Sequence, residues 1–308
     1  MFFYLACMIC MPVLNYKINM PGYNRIYPHG VQICIKNTMK QQDKTVLITG
    51  ASSGIGLELA RLFAQNRFNM VIVARHSEHL QKTAEELRAL GSGTVTIISK
   101  DLSLPGSARD VYNETTRQGI RVNILVNDAG VGTYGLFTET DLEKELALIH
   151  LNIVSLVTLT KLYLKDMLAS KGGRILQLAS VAAYQPTPRL AVYAATKAFI
   201  LSFSDALGTE LEGSPVTVTT LIPNATDTDF FRKAGMEHTK AALNDPEDPA
   251  VVARVGYEAL MKGDAHALPP GVKKEVVKSS VLPNRVVARQ AEKQVQEEEP
   301  RKSKKAKS

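Results

Sequence analysis

Short apolar runs rich in β-branched residues alternate along the chain with longer segments in which apolar residues recur every three to four positions. The short runs have the length and composition of buried parallel strands, and the longer segments have the periodicity of helices. The pattern therefore predicts six strands, at 44–49, 70–75, 94–99, 123–127, 174–178 and 216–222. It predicts helices at 57–66, 78–90, 107–118, 141–170, 192–212 and 249–261, with an irregular segment at 224–245.

This regular alternation predicts an α/β fold: a single doubly wound Rossmann domain, with a parallel sheet and helices on both of its faces. The chain has 308 residues, 45% of them hydrophobic, and is long enough to bury a large core. We expect residues 39–270 to form this domain. Residues 271–308 are expected to form a helical extension and a charged, disordered tail.

Most of the formal charge of +7 lies at the two ends of the chain. Residues 1–38 carry three basic and no acidic side chains, and residues 301–308 carry five basic side chains. Subtracting these eight charges leaves about −1 for residues 39–300. A nucleic-acid-binding protein carries its positive charge on the folded surface, so we expect no nucleic-acid partner.

Residues 1–14 are uncharged and mostly apolar, but a membrane-spanning helix needs about 20 apolar residues. They also lack the basic start of a secretory signal. We therefore interpret residues 1–38 as a leader, or as the result of an upstream start site, in a cytoplasmic protein. The alternative is that residues 1–14 form a weak anchor, which would hold the protein peripherally at a membrane surface.

Metal-ligating side chains are scarce in the predicted domain. All three cysteines lie before residue 39, and the six histidines are scattered, apart from His76 and His79. We therefore expect no disulfide and no metal site in the domain. A reducing compartment suits this composition.

A glycine-rich turn follows the first predicted strand and consists of Gly50, Ala51, Ser52, Ser53, Gly54, Ile55 and Gly56. Glycines let the backbone turn sharply and approach a pyrophosphate closely at the N-terminus of a helix. The turn therefore predicts a dinucleotide-binding site. A plain connection between a strand and a helix is the alternative.

The end of the second predicted strand bears on the choice of cofactor. An acid at this place binds the ribose hydroxyls of NAD, whereas arginine suits the 2′-phosphate of NADP. This strand ends at Ala74 and Arg75, without an acid. We predict that NADP(H) is preferred and that NAD(H) is possible; the alternative is that Arg75 merely caps the strand in solvent.

Tyr193 and Lys197 are four residues apart in a predicted helix, so their side chains project from the same face. A tyrosine phenol titrates near 10, and a neighbouring positive charge brings its pKa toward the neutral range. With Ser180 thirteen residues earlier, the spacing points to proton transfer during hydride-transfer chemistry. Taken singly, these residues could equally be a core aromatic, a surface lysine and a turn cap.

These residues belong to a larger set whose order and spacing along the chain match a known family pattern. The set is Thr49, Gly50, Gly54, Gly56, Asp101, Asn127, Ala129, Gly130, Asn152, Ser180, Tyr193, Lys197, Pro223 and Thr228. Over about residues 43–265 the chain thereby resembles the short-chain dehydrogenase/reductase family. The resemblance implies that Asp101 binds the adenine edge, and that Thr228 holds the carboxamide or pyrophosphate end of the cofactor. It implies a cofactor floor of Asn127, Ala129 and Gly130, and a catalytic tetrad of Asn152, Ser180, Tyr193 and Lys197.

Three positions depart from the family pattern. Asp128 stands where a second asparagine is usual, and Asn224 where a glycine follows the proline. Ser53 precedes Gly54, where a basic residue often helps to select NADP. The cofactor preference therefore depends on Arg75 alone.

We predict an NADP(H)-dependent oxidoreductase that interconverts a carbonyl and a secondary alcohol on a small molecule. The apolar residues Phe230, Phe231 and Met236 suggest an apolar or acyl-type substrate, although they could equally pack on the protein itself. The alternatives are an NAD-linked alcohol dehydrogenase and a non-catalytic NADP-binding sensor or scaffold. We expect a homodimer or homotetramer.

Overall fold

The centre of the fold is one sheet of seven parallel strands. The computed structural model describes residues 43–273, 276–277 and 282–297. The order across the sheet is β3-β2-β1-β4-β5-β6-β7. The strands are β1 (Thr45–Thr49), β2 (Asn69–Ala74), β3 (Val95–Ser99), β4 (Val122–Asn127), β5 (Gly173–Leu178), β6 (Val216–Leu221) and β7 (His266–Ala267). All the described residues belong to one unit, Lys40–Ser308.

Helices cover both faces of this sheet. They are α1 (Gly54–Gln65), α2 (Ser77–Ala89), α3 (Ser107–Arg117), α4 (Leu142–Ile149), α5 (Leu156–Ala169), α6 (Ala191–Glu210), α7 (Phe230–Ala234), α8 (Lys240–Leu243), α9 (Pro249–Lys262) and α10 (Asn284–Val295). A π-helical turn, His150–Ser155, joins α4 to α5. A 3₁₀ turn, Val181–Tyr184, follows β5.

The continuous apolar character of the strands follows from this double coverage. In β1, Val46 and Ile48 pack on one face with α1, α2 and α9, whereas Leu47 packs on the other face with α3, α5 and α6. Neither face of the strand meets water, so both sets of alternating positions must be apolar. The predicted doubly wound parallel sheet is therefore confirmed.

The strand order reverses at the pair β1 and β4, which run side by side although two strands and three helices separate them in the chain. Thr49 lies opposite Asn127, and Asn127 lies opposite Gln177. The carboxyl ends of β1, β4 and β5 therefore meet at one edge. A crevice opens at such a reversal, because the crossover helices leave the edge in opposite directions.

The six predicted strands are present, with ends that differ from the prediction by at most one residue. Segment 224–245 was predicted as irregular, and this is wrong, because it contains the helices α7 and α8. They have five and four residues, which is too few for an apolar period to show. The two-residue strand β7 escaped prediction for the same reason. The predicted leader, 1–38, and the tail from 298 onward lie outside the described residues.

The helical stretch Leu142–Ala169, from α4 through α5, is long and apolar enough to cross a membrane, because it contains an 18-residue window with a mean hydropathy of 1.5. Length and composition are weak evidence by themselves, because helices that pack in a protein core satisfy the same test. Leu148, Leu159 and Met167 of this stretch are fully buried in the protein. Packing in the core therefore accounts for these residues, whereas Leu142 and Leu146 of the same stretch are exposed.

We predict that Phe63→Ala lowers the free energy of unfolding by about 3–5 kcal/mol, the usual cost of a cavity left by a buried phenylalanine. Phe63 is fully buried in α1, with ring centres 5.1 Å from Phe68 and 4.9 Å from Tyr257. Phe137→Ala is the matched control, because Phe137 is 67% exposed. Denaturant unfolding measures both, and equal losses in the two variants would contradict this account of the core.

Candidate active site

A cavity of about 910 Å³ opens at the carboxyl edge of the sheet, beside the reversal between β1 and β4. The residues that follow β1, β4 and β5 form its floor, and the N-terminal half of α6 forms one wall. Residues 223–244 and α10 supply further walls. Open α/β sheets bind their ligands at this position.

The glycine turn carries the chain from β1 into α1 at one side of the cavity. Gly50 and Gly54 have φ values of +76° and +58°, a region that other residues rarely adopt. A Cβ on Gly50 would also lie 3.0 Å from the backbone nitrogen of Ala129. Ser53 gives α1 no side-chain cap, and the N–H groups and dipole of a helix N-terminus attract anions. The turn therefore has the shape and polarity to hold a pyrophosphate.

Charged side chains gather at the end of the cavity next to β2 and β3. Arg75 follows β2, is exposed, and lines this end with Asp101. The Asp101 carboxylate accepts hydrogen bonds from the Ser103 N–H and hydroxyl at 2.9 and 2.7 Å. Burial works against ionisation, but these bonds and the charges of Arg75 and His76 lower the pKa of Asp101 overall. A ligand at this end meets a guanidinium and a carboxylate side by side.

Ser180, Tyr193 and Lys197 come together at the carboxyl end of β5. Ser180 begins the 3₁₀ turn, and its hydroxyl is hydrogen-bonded to the Tyr193 phenol. Lys197 lies one turn further along α6 and is 4% exposed. Its Nζ donates to the Leu178 carbonyl oxygen at 2.7 Å and lies 5.7 Å from the centre of the Tyr193 ring. The three side chains line a single part of the cavity.

The protonation of Tyr193 differs from the expectation drawn from the sequence. Burial raises the pKa of Tyr193 to about 12, and the hydrogen bond with Ser180 offsets this only in part. Lys197 bonds to Leu178 rather than to the phenol, and burial lowers its own pKa to about 8. The expectation that Lys197 brings the Tyr193 pKa toward neutrality is therefore wrong here, because the cost of desolvating a phenolate outweighs this charge. The phenol is protonated at neutral pH.

Asn152 lies in the π-helical turn, where its side chain faces away from the cavity. Its amide nitrogen donates to the Val131 carbonyl at 3.0 Å and to the Thr196 hydroxyl at 3.1 Å. Its amide oxygen accepts the Val131 N–H at 3.1 Å. Asn152 thus fastens the segment after β4 to α6. Its place in the catalytic tetrad stays a prediction, and both hydrogens of its side-chain amide are already donated to protein groups.

Asn127 also lies beneath the cavity floor rather than in it. Its amide nitrogen donates to Thr160 and Gln177, both at 3.0 Å, and these groups are buried between β4, β5 and α5. Ala129 and Gly130 line the cavity itself. Of the predicted cofactor floor, the backbone after β4 is in place, while Asn127 fixes the end of that strand. Thr228 lies across from the turn, with its methyl group 3.0 Å from where a Gly54 Cβ would be.

Residues 44–238 match the family model described as short chain dehydrogenase. The chain belongs to the short-chain dehydrogenase/reductase family. It is therefore a nucleotide-binding oxidoreductase that acts on CH–OH groups.

Two curated relatives illustrate the range of similarity. The chain is 30% identical over 228 residues to the 17-beta-hydroxysteroid dehydrogenase type 3 of Mus musculus, covering 72% of each chain. It is 37% identical over 179 residues to the very-long-chain 3-oxoacyl-CoA reductase of Mycosarcoma maydis, covering 57% of this chain. That second match spans about half of the relative's own length, 51%.

Solved structures share the fold. A short-chain dehydrogenase from Sphingobium yanoikuyae in complex with NADPH is 30% identical, with a TM-score of 0.70 over 77% of this chain and 93% of that one. A short chain dehydrogenase/reductase from Burkholderia phymatum in complex with NAD is 20% identical, with a TM-score of 0.71 over 85% and 99%. The second likeness shows the fold alone.

The structure adds wall residues that the motifs of a short-chain dehydrogenase do not include. The largest addition is α10, whose residues Val287, Ala291 and Val295 are buried and line the cavity. The spacing of four residues between them was visible in the sequence as an apolar helical stripe. The Tyr134 hydroxyl fixes the end of this helix by donating to the Val295 carbonyl oxygen at 2.8 Å. The division at residue 270 remains a prediction.

The cavity fits a nicotinamide dinucleotide, the cofactor of this family. The glycine turn offers a backbone cradle that a Cβ would fill, and Arg75 and Asp101 lie at one end of it. Tyr193 and Lys197 lie at the other end, where the reacting ring would be expected. Among the described residues, no three His, Cys, Asp or Glu side chains form a group that could hold a metal ion.

We predict that Gly50→Ala destabilises the fold by about 1–3 kcal/mol, the usual cost of overpacking, and weakens dinucleotide binding, because the new Cβ collides with the start of segment 128–130. Gly106→Ala is the matched control: Gly106 has a similar φ of +84°, but nothing lies within 4 Å of its Cβ position. Thermal unfolding and NADPH titration compare the two. Equal effects would show that positive φ, rather than crowding, sets the requirement for glycine.

Proposed function

We propose that the protein is an NADP(H)-dependent reductase or dehydrogenase that interconverts a carbonyl and a secondary alcohol on a bulky, apolar substrate. One observation carries the proposal: Ser180, Tyr193 and Lys197 line the same cavity as the glycine turn. The proposal assigns the cavity end near the turn to the nucleotide and the end near α10 to the substrate.

The bound nicotinamide supplies or accepts the hydride. In the reducing direction, the Tyr193 phenol gives its proton to the oxygen of the carbonyl as this oxygen becomes an alkoxide. The high pKa of Tyr193 keeps that proton in place until it is needed. The Ser180 hydroxyl, already bonded to the phenol, orients the same oxygen and stabilises its charge. Lys197 contributes positive charge beneath the ring and holds the nicotinamide ribose.

The substrate end of the cavity supports an apolar ligand. Leu190 and Met236 are buried there, and Phe230 packs on Tyr193 with ring centres 5.0 Å apart. The buried stripe of α10 covers the same region. The named substrates of the two curated relatives, a hydroxysteroid and a very-long-chain 3-oxoacyl-CoA, each carry a large apolar part, the steroid rings and the acyl chain. We therefore assign a substrate of this class.

The preference for NADP(H) depends on Arg75. Its position at the end of β2, beside Asp101, suits a 2′-phosphate, and a 30% identical neighbour was solved with NADPH. The proposal keeps NAD(H) as the weaker cofactor. A carboxylate at residue 74 would be needed to favour it, and Ala74 stands there.

The proposed setting is a cytoplasmic homodimer or homotetramer that uses small-molecule substrates and no nucleic acid. Exposed leucines on α4, Leu142 and Leu146, together with Val154 of the π-helical turn, support self-association, since they leave apolar surface uncovered. Peripheral contact with a membrane would involve residues 1–14, which lie outside the described residues.

Turnover of a panel of steroid, acyl, sugar and aromatic carbonyls with NADPH tests the proposal. We predict that steroid or acyl substrates react, and that Tyr193→Phe lowers the rate of the chemical step by about 10²–10⁴-fold. NADPH affinity should stay nearly unchanged, because the substitution removes the proton and little else. Tyr184→Phe, outside the cavity, is the control and should keep the full rate. If Tyr193→Phe keeps more than about a tenth of the wild-type rate, the role assigned to Tyr193 is contradicted. If the wild type turns over none of the carbonyls, the sensor or scaffold alternative is favoured.

We predict that wild type prefers NADPH over NADH by about 10- to 40-fold in kcat/KM, the size of one charge-assisted hydrogen bond. Ala74→Asp combined with Arg75→Ala should reverse this preference, because the new carboxylate repels phosphate and accepts from ribose hydroxyls. Arg109→Ala, exposed on α3 and away from the cavity, is the control for loss of a positive charge. A wild type that prefers NADH, or a double variant that retains the NADPH preference, would refute the role of Arg75.

A further inference from the structure

The helix α10 contributes an apolar stripe to the cavity, and the proposed mechanism gives this stripe no task. Its residues, Val287, Ala291 and Val295, are four positions apart, so they follow one another on a single face of the helix. All three are buried and line the cavity, and Gln290 and Gln294 beside them line it as well. The apolar face of α10 is therefore turned toward the space where the substrate is expected.

The C-terminal end of this stripe is fixed close to Tyr193. Val295 and Tyr193 pack in the same apolar cluster. The Val295 carbonyl oxygen accepts a hydrogen bond from the Tyr134 hydroxyl at 2.8 Å. The carbonyl oxygen of Gln296, the next residue, accepts one from the Lys240 N–H at 3.1 Å. The stripe therefore begins beside the phenol that gives the proton and leads away from it along the helix.

The middle residue of the stripe is also its smallest. An α-helix rises about 1.5 Å per residue, so Ala291 lies about 6 Å along the axis from Val295 on one side and from Val287 on the other. A methyl group between two isopropyl groups leaves a recess in the wall, one helical turn from the fixed end. A larger side chain at residue 291 would project into the cavity, because this position lines it.

We propose that the recess at Ala291 receives the bulky part of the substrate, and that Ala291 sets the greatest width that the enzyme accepts. This proposal rests on the proposed function, because it places the reacting carbonyl at Tyr193. A linear acyl chain is narrow along its whole length and passes Ala291 without filling the recess, whereas fused rings fill it. Ala291 is thereby a specificity-determining residue, and the substrate class that it selects is a ketone within a fused ring system.

Burial of apolar surface gives this selection its energy. A ring that enters the recess is removed from water against the side chains of the stripe, and the complex is stabilised in proportion to the apolar area buried. A larger side chain at residue 291 occupies the recess and overlaps with the ring. One methylene group more or less in an apolar pocket changes kcat/KM by about 10- to 200-fold. The side chain at this position can therefore discriminate between substrates of different width.

The test compares Ala291→Leu with Ala288→Leu in the full-length enzyme with NADPH. Ala288 is the matched control, because it lies on the same helix, is half-buried and lies outside the cavity lining. The substrates are 2-decalone and 2-decanone, a fused-ring and a linear ketone with the same number of carbon atoms. We expect Ala291→Leu to lower the ratio of kcat/KM for 2-decalone to that for 2-decanone by at least about 10-fold.

An unchanged ratio in Ala291→Leu, or an equal change in Ala288→Leu, overturns the proposal. A wild type that prefers 2-decanone overturns the substrate class. If Ala291→Leu does not fold, Ala291→Gly is compared with Ala288→Gly. Glycine deepens the recess, so the same ratio should rise in Ala291→Gly alone, and an unmoved ratio again contradicts the proposal.

A second measurement needs no turnover and separates this proposal from the proposed function. Dehydroergosterol, a fluorescent fused-ring sterol, and parinaric acid, a fluorescent linear fatty acid, are titrated into wild type and both leucine variants in the presence of NADPH. Ala291→Leu should weaken binding of the sterol by at least about 10-fold and binding of the fatty acid by much less. Ala288→Leu should bind both probes as wild type does.

Equal sterol binding in the three proteins overturns the proposal, and so does a wild type that does not bind the sterol. A loss of NADPH affinity in Ala291→Leu would mean that α10 covers the nucleotide rather than the substrate, and it too overturns the proposal. If the wild type reduces neither ketone, the proposed function is contradicted, while sterol binding still decides the role of Ala291.

Discussion

The burial of Lys197 is the constraint on which the site depends. An ammonium that is 4% exposed must find partners inside the protein. The Leu178 carbonyl at the end of β5 accepts a hydrogen bond from it, and the Asp128 carboxylate after β4 contributes opposite charge from beyond ion-pair distance. Both partners lie at the carboxyl edge of adjacent strands, so the lysine can be stabilised only where the parallel sheet places those ends together.

The same low-polarity surroundings determine the state of Tyr193. The phenol of Tyr193 is partly buried against Phe230 and keeps its proton, whereas a fully solvated phenol beside a lysine would lose it more readily. For a reduction this is the useful state, because the proton stays on the oxygen that must give it away. Ser180 on the 3₁₀ turn and Phe230 on α7 hold the ring from two sides. The packing that builds the core therefore also shields one side of the Tyr193 phenol, while its other side lines the cavity.

The strands and the glycine turn could be predicted from the sequence, because each is determined by residues that are neighbours in the chain. The strands and the sheet class followed from residues close together in the chain, and the family followed from the order and spacing of motifs between Thr49 and Thr228. The direction of the Tyr193 pKa did not, because burial depends on elements far away in sequence, such as α7. Asn127 and Asn152 were predicted at the site by resemblance, yet their amide nitrogens donate to Gln177, Thr196 and other neighbours beneath the floor. The wall formed by α10 depended on tertiary packing that no motif records.

Titration of the Tyr193 phenol is the most direct test of the account that burial, rather than Lys197, fixes its protonation. The ultraviolet absorbance of phenolate is followed with rising pH in the cofactor-free wild type and in Tyr193→Phe, and their difference isolates this one tyrosine. The account predicts that the difference shows no phenolate below about pH 10, the ordinary value for tyrosine. A phenolate signal from Tyr193 with a midpoint near pH 8 or lower would contradict it.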